Sequence, residues 1–211
     1  MQKAAFMAFL SDNRVPVFSI DDAVKILHKP RSYVWLFLHR CMKKGSIGRV
    51  ERGRYYVSAR SNEYEIASSI VQPSYISMVS ALSYYGLTTQ IPRIVYVVST
   101  KRHRPIRNVQ GLDIVFRKIK KPMMFGYSKK SGGNVFMADP EKAIVDIFYF
   151  NDVNDLDEDA LKRPSRIDID KLLMYARKSG KKSVIMEVAK LLSDNGHAAQ
   201  AKRLIMDHSN Q

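Results

Sequence analysis

The sequence predicts an α+β protein with strands in its first two thirds and helices alone in its last third. Apolar residues recur at helical spacing near both ends, and runs rich in valine, isoleucine and aromatic residues alternate with glycine and proline between them. We expect a first domain at residues 1–60, a mixed α+β domain at 63–150, a linker or surface loop at 151–167, and C-terminal helices at 168–211.

The first domain begins with two predicted helices. Residues 2–11 carry enough apolar side chains for a short helix with one apolar face. Ser19 is placed to cap a second helix, because Asp21 and Asp22 follow it and a helix dipole favours carboxylates in the first turn. This helix is expected to end before Pro30, since proline disfavours the helical conformation in the residue that precedes it.

A third helix is predicted over residues 31–44, with Gly45 as its C-terminal cap. Its inner stripe has the i, i+3, i+4, i+7 spacing of a helix that packs on a core, and it consists of Val34, Phe37, Leu38 and Cys41. The opposite face is polar and basic, and it consists of Ser32, Leu36, His39, Arg40 and Lys43, with Tyr33 and Trp35 on its flanks.

A β-hairpin is predicted over residues 47–57, because Gly53 supplies a turn between two short strand patterns. Three arginines cluster around its tip, namely Arg49, Arg52 and Arg54. Two short helices joined by a tight turn and followed by a hairpin are the arrangement of a winged helix-turn-helix. We therefore predict this fold for residues 1–60.

The charge distribution predicts a polyanionic partner for the first two thirds of the chain. The formal net charge is +15, and residues 1–60 hold 12 basic and 4 acidic side chains, whereas residues 151–211 hold 11 and 10. Excess positive charge next to a predicted helix-turn-helix is typical of proteins that bind nucleic acid. Double-stranded DNA is the partner that we expect.

The third helix is expected to enter the major groove by its N-terminal half. Ser32, Tyr33 and Leu36 would face base edges, with Arg31, Trp35 and His39 nearby, and Arg40 and Lys43 would suit phosphates. The hairpin arginines would contact phosphates or the minor groove. Two alternatives stay open: Trp35 packs against the hairpin, or a shift of one residue in helical phase places Leu36 in the core.

The middle domain is predicted to contain both helices and strands. The helices are expected at residues 63–71, at 73–85, and after Asp139, which would cap a helix that has Pro140 in its first turn. The strands are expected at residues 94–98 and 112–119, and in a hairpin that pairs residues 125–127 with 135–137. Three amphipathic helices follow near residues 168–177, 182–192 and 198–206.

A second basic surface is expected from Lys101, Arg102, Arg104 and Arg107 in this domain. They belong to a basic stretch that continues with Arg117, Lys118, Lys120, Lys121, Lys129 and Lys130. It would form a second DNA contact, or face an RNA or a nucleotide, or be only the solvated face of a sheet. The electrostatic pattern alone does not choose among these.

Other classes of site find little support in the sequence. One cysteine, Cys41, excludes an intramolecular disulfide and a zinc site built on several cysteines, the histidines lack metal-ligand spacing, and we expect neither metal nor cofactor. A metal-dependent nuclease would use Asp113, Asp139, Glu141 and Lys142, but adjacent residues in a helix diverge by roughly 100°. We expect no enzyme, no membrane span and a cytoplasmic location.

Several sequence blocks in the middle domain resemble the AbiEi family of type IV antitoxins. They are Tyr75-Ile76-Ser77, residues 80–88, Gln90-Ile91-Pro92, the strand at 95–100 with Lys101-Arg102 after it, and residues 138–146. No single block is specific, but their order and spacing match the family, which also places a winged helix before them. The resemblance covers roughly residues 10–195.

The resemblance implies a transcriptional regulator that is paired with a nucleotidyltransferase-like toxin. It implies binding to inverted repeats in the promoter of its own operon, hence negative autoregulation, and a C-terminal portion that counteracts the toxin without a stable complex. A stand-alone regulator of the same build would have the same sequence pattern. The oligomeric state stays open, because two monomers can also occupy an inverted repeat independently.

Overall fold

The computed structural model describes residues 3–58, 62–88, 92–130, 135–152 and 167–209. Across these ranges the protein is mixed α+β, with helices at both ends. The buried apolar side chains fall into two clusters, one within residues 6–57 and one that extends from the hairpin and residue 66 to residue 204. The domain boundaries predicted from the sequence stay predictions.

The N-terminal unit consists of three helices and a small antiparallel sheet in the order β1-β3-β2. Its elements are α1 (Lys3–Asp12), β1 (Val17–Ser19), α2 (Ile20–Leu27), α3 (Arg31–Lys43), β2 (Ile47–Glu51) and β3 (Arg54–Val57). The three predicted helices and the hairpin are confirmed, and Gly53 has a φ of 80° at its turn. The sequence analysis missed β1, a three-residue strand whose pairing with β3 completes the sheet.

The ends of α2 are set by local chemistry. The Ser19 hydroxyl accepts a hydrogen bond from the backbone N–H of Asp22 at 3.1 Å, and the Asp22 carboxylate accepts one from the Ser19 N–H at 2.8 Å. The Ser19 N–H and the Ser19 hydroxyl both donate to the Asp22 carboxylate, and these two hydrogen bonds hold the pKa of Asp22 below its usual value. At the other end His28 adopts a left-handed conformation with a φ of 51°, and the chain turns there into α3.

Aromatic packing closes the N-terminal core. Phe6 of α1 lies edge-on to Phe18 at 5.6 Å and to Phe37 at 5.4 Å between ring centroids. Both geometries are favourable for aromatic pairs. Phe6 therefore joins α1 to the strand before α2 and to the inner face of α3, and it holds α3 with its outer face away from the core.

The remainder of the chain forms a six-stranded mixed sheet with helices packed on it, in the strand order β6-β7-β5-β4-β9-β8. The strands are β4 (Ser74–Ile76), β5 (Ile94–Ser99), β6 (Ile106–Val109), β7 (Leu112–Lys118), β8 (Tyr127–Lys129) and β9 (Phe136–Ala138). The helices are α4 (Glu63–Ser68), α5 (Met78–Tyr84), α6 (Pro140–Phe150), α7 (Ile169–Lys178), α8 (Lys182–Asp194) and α9 (Ala198–Ser209). Strand β5 runs parallel to β7, and β4 runs parallel to β9.

Three predictions for the middle domain need correction. The helix expected over 73–85 is wrong at its start, because residues 74–76 form β4 and the helix begins only at Met78. The apolar residues there are compatible with both the helical and the strand period. The hydrogen-bonded pairing of these residues with β5 and β9 makes them a strand. The pairing predicted for 125–127 with 135–137 lies instead between β8 and β9, and β6 was missed. Residues 131–134 and 153–166 lie outside the described residues.

Helix α6 is the centre of the larger cluster and contacts α5, α7 and α8. Asp139 occupies its N-cap position and Pro140 begins the helix, as predicted, but the Asp139 side chain makes no capping hydrogen bond. It accepts one from the Tyr175 hydroxyl of α7 at 3.0 Å and pairs with Lys171 at 3.0 Å. The capping role predicted for this carboxylate is therefore wrong; it joins α7 to α6.

A fully buried ion pair lies within α6, between Lys142 and Asp146. The Asp146 carboxylate also accepts hydrogen bonds from the hydroxyls of Ser77 at 2.7 Å and Tyr75 at 3.0 Å. Burial lowers the pKa of Lys142, and the Asp146 charge opposes that effect. The pair thus connects α6 to β4 and to Ser77, the N-cap residue of α5.

We expect Asp146→Asn to lower the free energy of unfolding by roughly 3–5 kcal/mol, because it leaves the Lys142 ammonium buried without a counter-charge. The double variant Lys142→Met/Asp146→Asn should recover most of that loss, since no charge stays unpaired and the introduced amide oxygen can still accept from the Ser77 hydroxyl. Urea denaturation at pH 7 measures both. Equal losses in the single and the double variant would show that charge pairing is not what stabilises this site.

Candidate nucleic-acid interface

The outer face of α3 is open to solvent. The inner residues Val34, Leu38 and Cys41 are buried, as the helical period predicts. Tyr33 is 49% exposed and Leu36 is 42% exposed, so both large apolar side chains point outward. The remaining exposed positions of this face are Ser32, Arg40 and Lys43. The alternative in which Leu36 belongs to the core is wrong.

Trp35 is also exposed, at 58% of its surface, so the alternative in which it packs against the hairpin is wrong. Its indole stacks on the His39 ring one helical turn later, with centroids 5.6 Å apart and planes 6° from parallel. Positions i and i+4 of a helix lie on one face, which makes this stack a local feature of α3. The stack supplies a flat aromatic surface beside the Tyr33–Leu36 ridge.

The charges along α3 are not equally available. Arg31 pairs with Asp21 in the first turn of α2, and both side chains are more than 60% exposed. Arg40 and Lys43 form no ion pair with any residue in the described ranges. The basic charge that α3 presents to solvent therefore lies near its C-terminal end.

Two of the three hairpin arginines remain exposed. Arg52 lies in the turn, and Arg49 pairs with Tyr55 across the hairpin, on the face of the sheet that the helices cover. The Arg49 guanidinium donates a hydrogen bond to the backbone carbonyl of Glu51 at 3.3 Å, which is a local contact at the edge of the strand. Both side chains are therefore open to solvent.

Arg54 does not belong to this group, and the prediction that it clusters with the other two at the tip is wrong. It lies on β3 directly after the turn. Its side chain is on the same face of the sheet as that of Tyr56, and this face is opposite to the one that carries Arg49. Its guanidinium donates to the backbone carbonyl of Ile70 at 2.9 Å and pairs with Glu51 at 3.3 Å. Arg54 thus attaches the hairpin to the rest of the protein.

Glu51 is the residue that the sequence analysis missed here. Its carboxylate lies 3.5 Å from His103 Nε2 as well as next to Arg54, and only 18% of its side chain is exposed. Its position as the one acidic residue of a hairpin rich in arginine was the sequence feature that could have indicated this structural role. Because His103 belongs to the basic run after β5, this contact places the hairpin beside the second basic surface.

That second surface is only partly free. Lys101, Arg102 and Arg104 are exposed. Arg107 pairs with Asp113 of β7, and the N–H of Asn108 together with this arginine holds the pKa of the Asp113 carboxyl below its usual value.

The four residues of the nuclease alternative are not brought together. Asp113 begins β7 and Asp139 follows β9, three strand spacings or about 14 Å away across the sheet. Glu141 accepts a hydrogen bond from the N–H of Asp168 at 2.9 Å, and Lys142 points to Asp146. Within the described ranges, no group of three His, Cys, Asp or Glu residues is arranged to hold a metal ion.

Two general comparisons complete the description. Comparison of the sequence with models of known protein families gives no match, and comparison with curated proteins gives none either. Among the described residues, no helix combines the length and the apolarity that a membrane span requires.

We expect Arg54→Ala to lower the free energy of unfolding by about 1 kcal/mol, because the part-buried Ile70 carbonyl and the Glu51 carboxylate both lose a partner. Arg52→Ala removes the same charge from an exposed turn and should change stability by less than about 0.5 kcal/mol. Urea denaturation of the two variants measures the difference. Identical stabilities would contradict the attachment role of Arg54.

Proposed function

We propose that this protein is a transcriptional regulator that binds specific sequences in double-stranded DNA. In this proposal residues 3–58 are a winged helix-turn-helix, with α3 as the recognition helix and β2–β3 as the wing. The order helix, strand, helix, helix, strand, strand supports it. The observation that carries the proposal is the outer face of α3, which exposes large side chains and cationic groups while its inner face is fully packed.

The side chains of α3 divide by the part of DNA that they suit. Tyr33 and Leu36 offer apolar contacts to thymine methyl groups, and the Ser32 hydroxyl can donate to or accept from a base edge. Arg40 and Lys43 lie farther along the helix and suit phosphates, which position a protein on the duplex without reading its sequence. The Trp35–His39 stack lies beside both groups. Because Arg31 is already paired with Asp21, we assign it a smaller contribution to the attraction of phosphates than Arg40 and Lys43.

The wing contributes through Arg49 and Arg52. Both are exposed near the tip of the hairpin, where they would contact phosphates or enter the adjacent minor groove. Glu51 and Arg54 hold the other face of the hairpin against the middle of the chain, so the wing has a defined direction before DNA arrives. A wing held in place loses less conformational entropy on binding than a free one.

With four phosphate contacts per protomer, from Arg40, Lys43, Arg49 and Arg52, log K should fall with log salt at a slope of about −3.6. Arg49→Ala/Arg52→Ala should weaken binding to every DNA sequence and reduce the slope to about −1.8. The measurement is a fluorescence anisotropy titration with DNA from upstream of its own gene and with unrelated DNA. Lys190→Ala/Lys202→Ala, which removes two exposed charges from α8 and α9, is the matched control.

The same titration separates sequence reading from charge. Tyr33→Ala and Leu36→Ala should weaken binding to the specific DNA and leave the salt slope unchanged, because neither side chain carries charge. An unchanged salt slope in the Arg49→Ala/Arg52→Ala variant would contradict phosphate binding by the wing. Equal losses of affinity for specific and unrelated DNA in the Leu36→Ala variant would contradict base recognition by α3.

We further propose, on the resemblance of its sequence blocks to the AbiEi family, that the regulator acts in the cytoplasm as the autoregulating antitoxin of a type IV toxin–antitoxin pair. Its DNA target would be inverted repeats in its own promoter, and its partner gene would encode a nucleotidyltransferase-like toxin. What supports this is the ordered set of blocks; those within the described residues lie on or next to β4, α5, β5 and α6 and belong mostly to one core, whereas Gln90 and Ile91 lie outside the described residues.

Expression of the neighbouring gene tests this second proposal. It should arrest growth alone, and co-expression of this chain should restore growth. The Arg49→Ala/Arg52→Ala variant should still restore growth when both genes have foreign promoters, because antitoxicity is assigned to the C-terminal portion. A neighbouring gene that is harmless, or whose toxicity this chain does not relieve, would leave a stand-alone regulator as the function.

A further inference from the structure

A groove of about 680 Å³ opens where the parallel strands β5 and β7 end, and α3 does not contribute to it. Ser99 and Lys118 are register partners at the ends of these strands, and the Ile119 N–H donates to the Ser99 carbonyl at 2.8 Å. The two chain segments separate beyond this point. The groove lies between them and is lined by Thr100, Lys101, Lys118, Ile119, Lys120, Lys121 and Tyr149.

The position of the groove is typical of a ligand site. In open α/β sheets, ligands bind in a crevice outside the carboxyl ends of the parallel strands, and this groove lies outside the carboxyl ends of the parallel pair β5–β7. Its volume also falls within the range of about 300–1,000 Å³ that small-molecule sites occupy. Tyr149, near the C-terminal end of α6, forms the wall that does not come from the sheet.

The charge of the groove is strongly positive. Four of the seven lining residues are lysines, none is acidic, and the four lysine side chains are exposed. Within the described ranges none of these lysines forms an ion pair. Lys181 adds a fifth cation beside the wall, since its ammonium donates to the Tyr149 carbonyl at 3.0 Å and lies 5.0 Å from the centre of the Tyr149 ring.

The shape of this charge favours a polyphosphate over a nucleic-acid backbone. Neighbouring parallel strands lie about 4.8 Å apart, and the chain segments that leave β5 and β7 place four lysines around one groove. A triphosphate carries its negative charges on directly linked phosphates, whereas a nucleic-acid backbone separates successive charges by a nucleoside. The lysine ammonium is a compact point charge suited to such a cluster of phosphate oxygens.

We propose that this groove is a binding site for a polyphosphate chain, supplied either by a nucleoside triphosphate or by inorganic polyphosphate. Lys101, Lys118, Lys120 and Lys121 hold the phosphates, and Tyr149 closes the site. The site is separate from the outer face of α3. It does not depend on the proposed regulation of transcription, because binding of the ligand is measured without DNA.

Isothermal titration calorimetry on the full chain at constant ionic strength tests the site. The probes are each of the four ribonucleoside triphosphates, inorganic tripolyphosphate and a single-stranded RNA without a 5′ triphosphate. Lys118→Ala/Lys121→Ala should weaken triphosphate binding by roughly tenfold or more, and Lys190→Ala/Lys202→Ala, with the same loss of charge elsewhere, should bind like the unaltered protein. A second pair, Lys101→Ala/Lys120→Ala, should reproduce the loss if the first pair fails to fold.

The arms distinguish the two sources of the phosphates. Tighter binding of a nucleoside triphosphate than of tripolyphosphate identifies a nucleotide site, and equal or tighter binding of tripolyphosphate identifies a site that recognises the phosphate chain alone. The proposal is overturned if no triphosphate binds at millimolar concentration, or if the groove and control variants bind equally well. It is also overturned if the RNA binds in a groove-dependent manner while triphosphates do not.

Discussion

The buried pair between Lys142 and Asp146 determines how the C-terminal two thirds of the molecule are assembled. An ion pair removed from water is stable only when its remaining hydrogen-bonding capacity is satisfied, and here the hydroxyls of Tyr75 and Ser77 supply that on the carboxylate. Since these hydroxyls come from β4 and from the N-cap residue of α5, the pair joins α6 to the sheet and to the start of α5. From α6 follow the contacts to α7 and α8, and the placement of Tyr149 at the end of β5 and β7.

The second determinant is the attachment of the hairpin to the middle of the chain. Tyr56 and Val50 belong to the large cluster, and Glu51 lies between Arg54 and His103 at the edge of that contact. In this arrangement basic side chains form ion pairs that hold parts of the protein together. Arg31, Arg54, Arg107 and Arg117 are all paired with carboxylates, so the count of 35 basic side chains overstates how many are free to contact a polyanion.

Two groups of unpaired cations among the described residues differ in shape. Those of the N-terminal unit lie on a projecting helix and a hairpin tip, which is the geometry that a groove of duplex DNA accepts. Those at the ends of β5 and β7 line a concavity and suit a compact anion instead. The second basic surface, with Lys101 in the groove and His103 against the hairpin, is the stretch of chain that joins the two settings.

The sequence alone determined whatever depends on neighbours along the chain. The capping of α2 by Ser19, the inner stripe of α3 and the turn at Gly53 involve residues within a few positions of one another, so their spacing was sufficient to predict them. The tertiary structure alone decided whether residues 74–76 are helix or strand, where Arg54 and Asp139 point, and that Lys101 lines one groove with the lysines that end and follow β7. Each of these depends on a partner far away in the sequence: a β ladder, a carbonyl sixteen residues on, a tyrosine on another helix, or the end of a parallel strand. Local periodicity carries no information about such partners, because packing rather than propensity selects them.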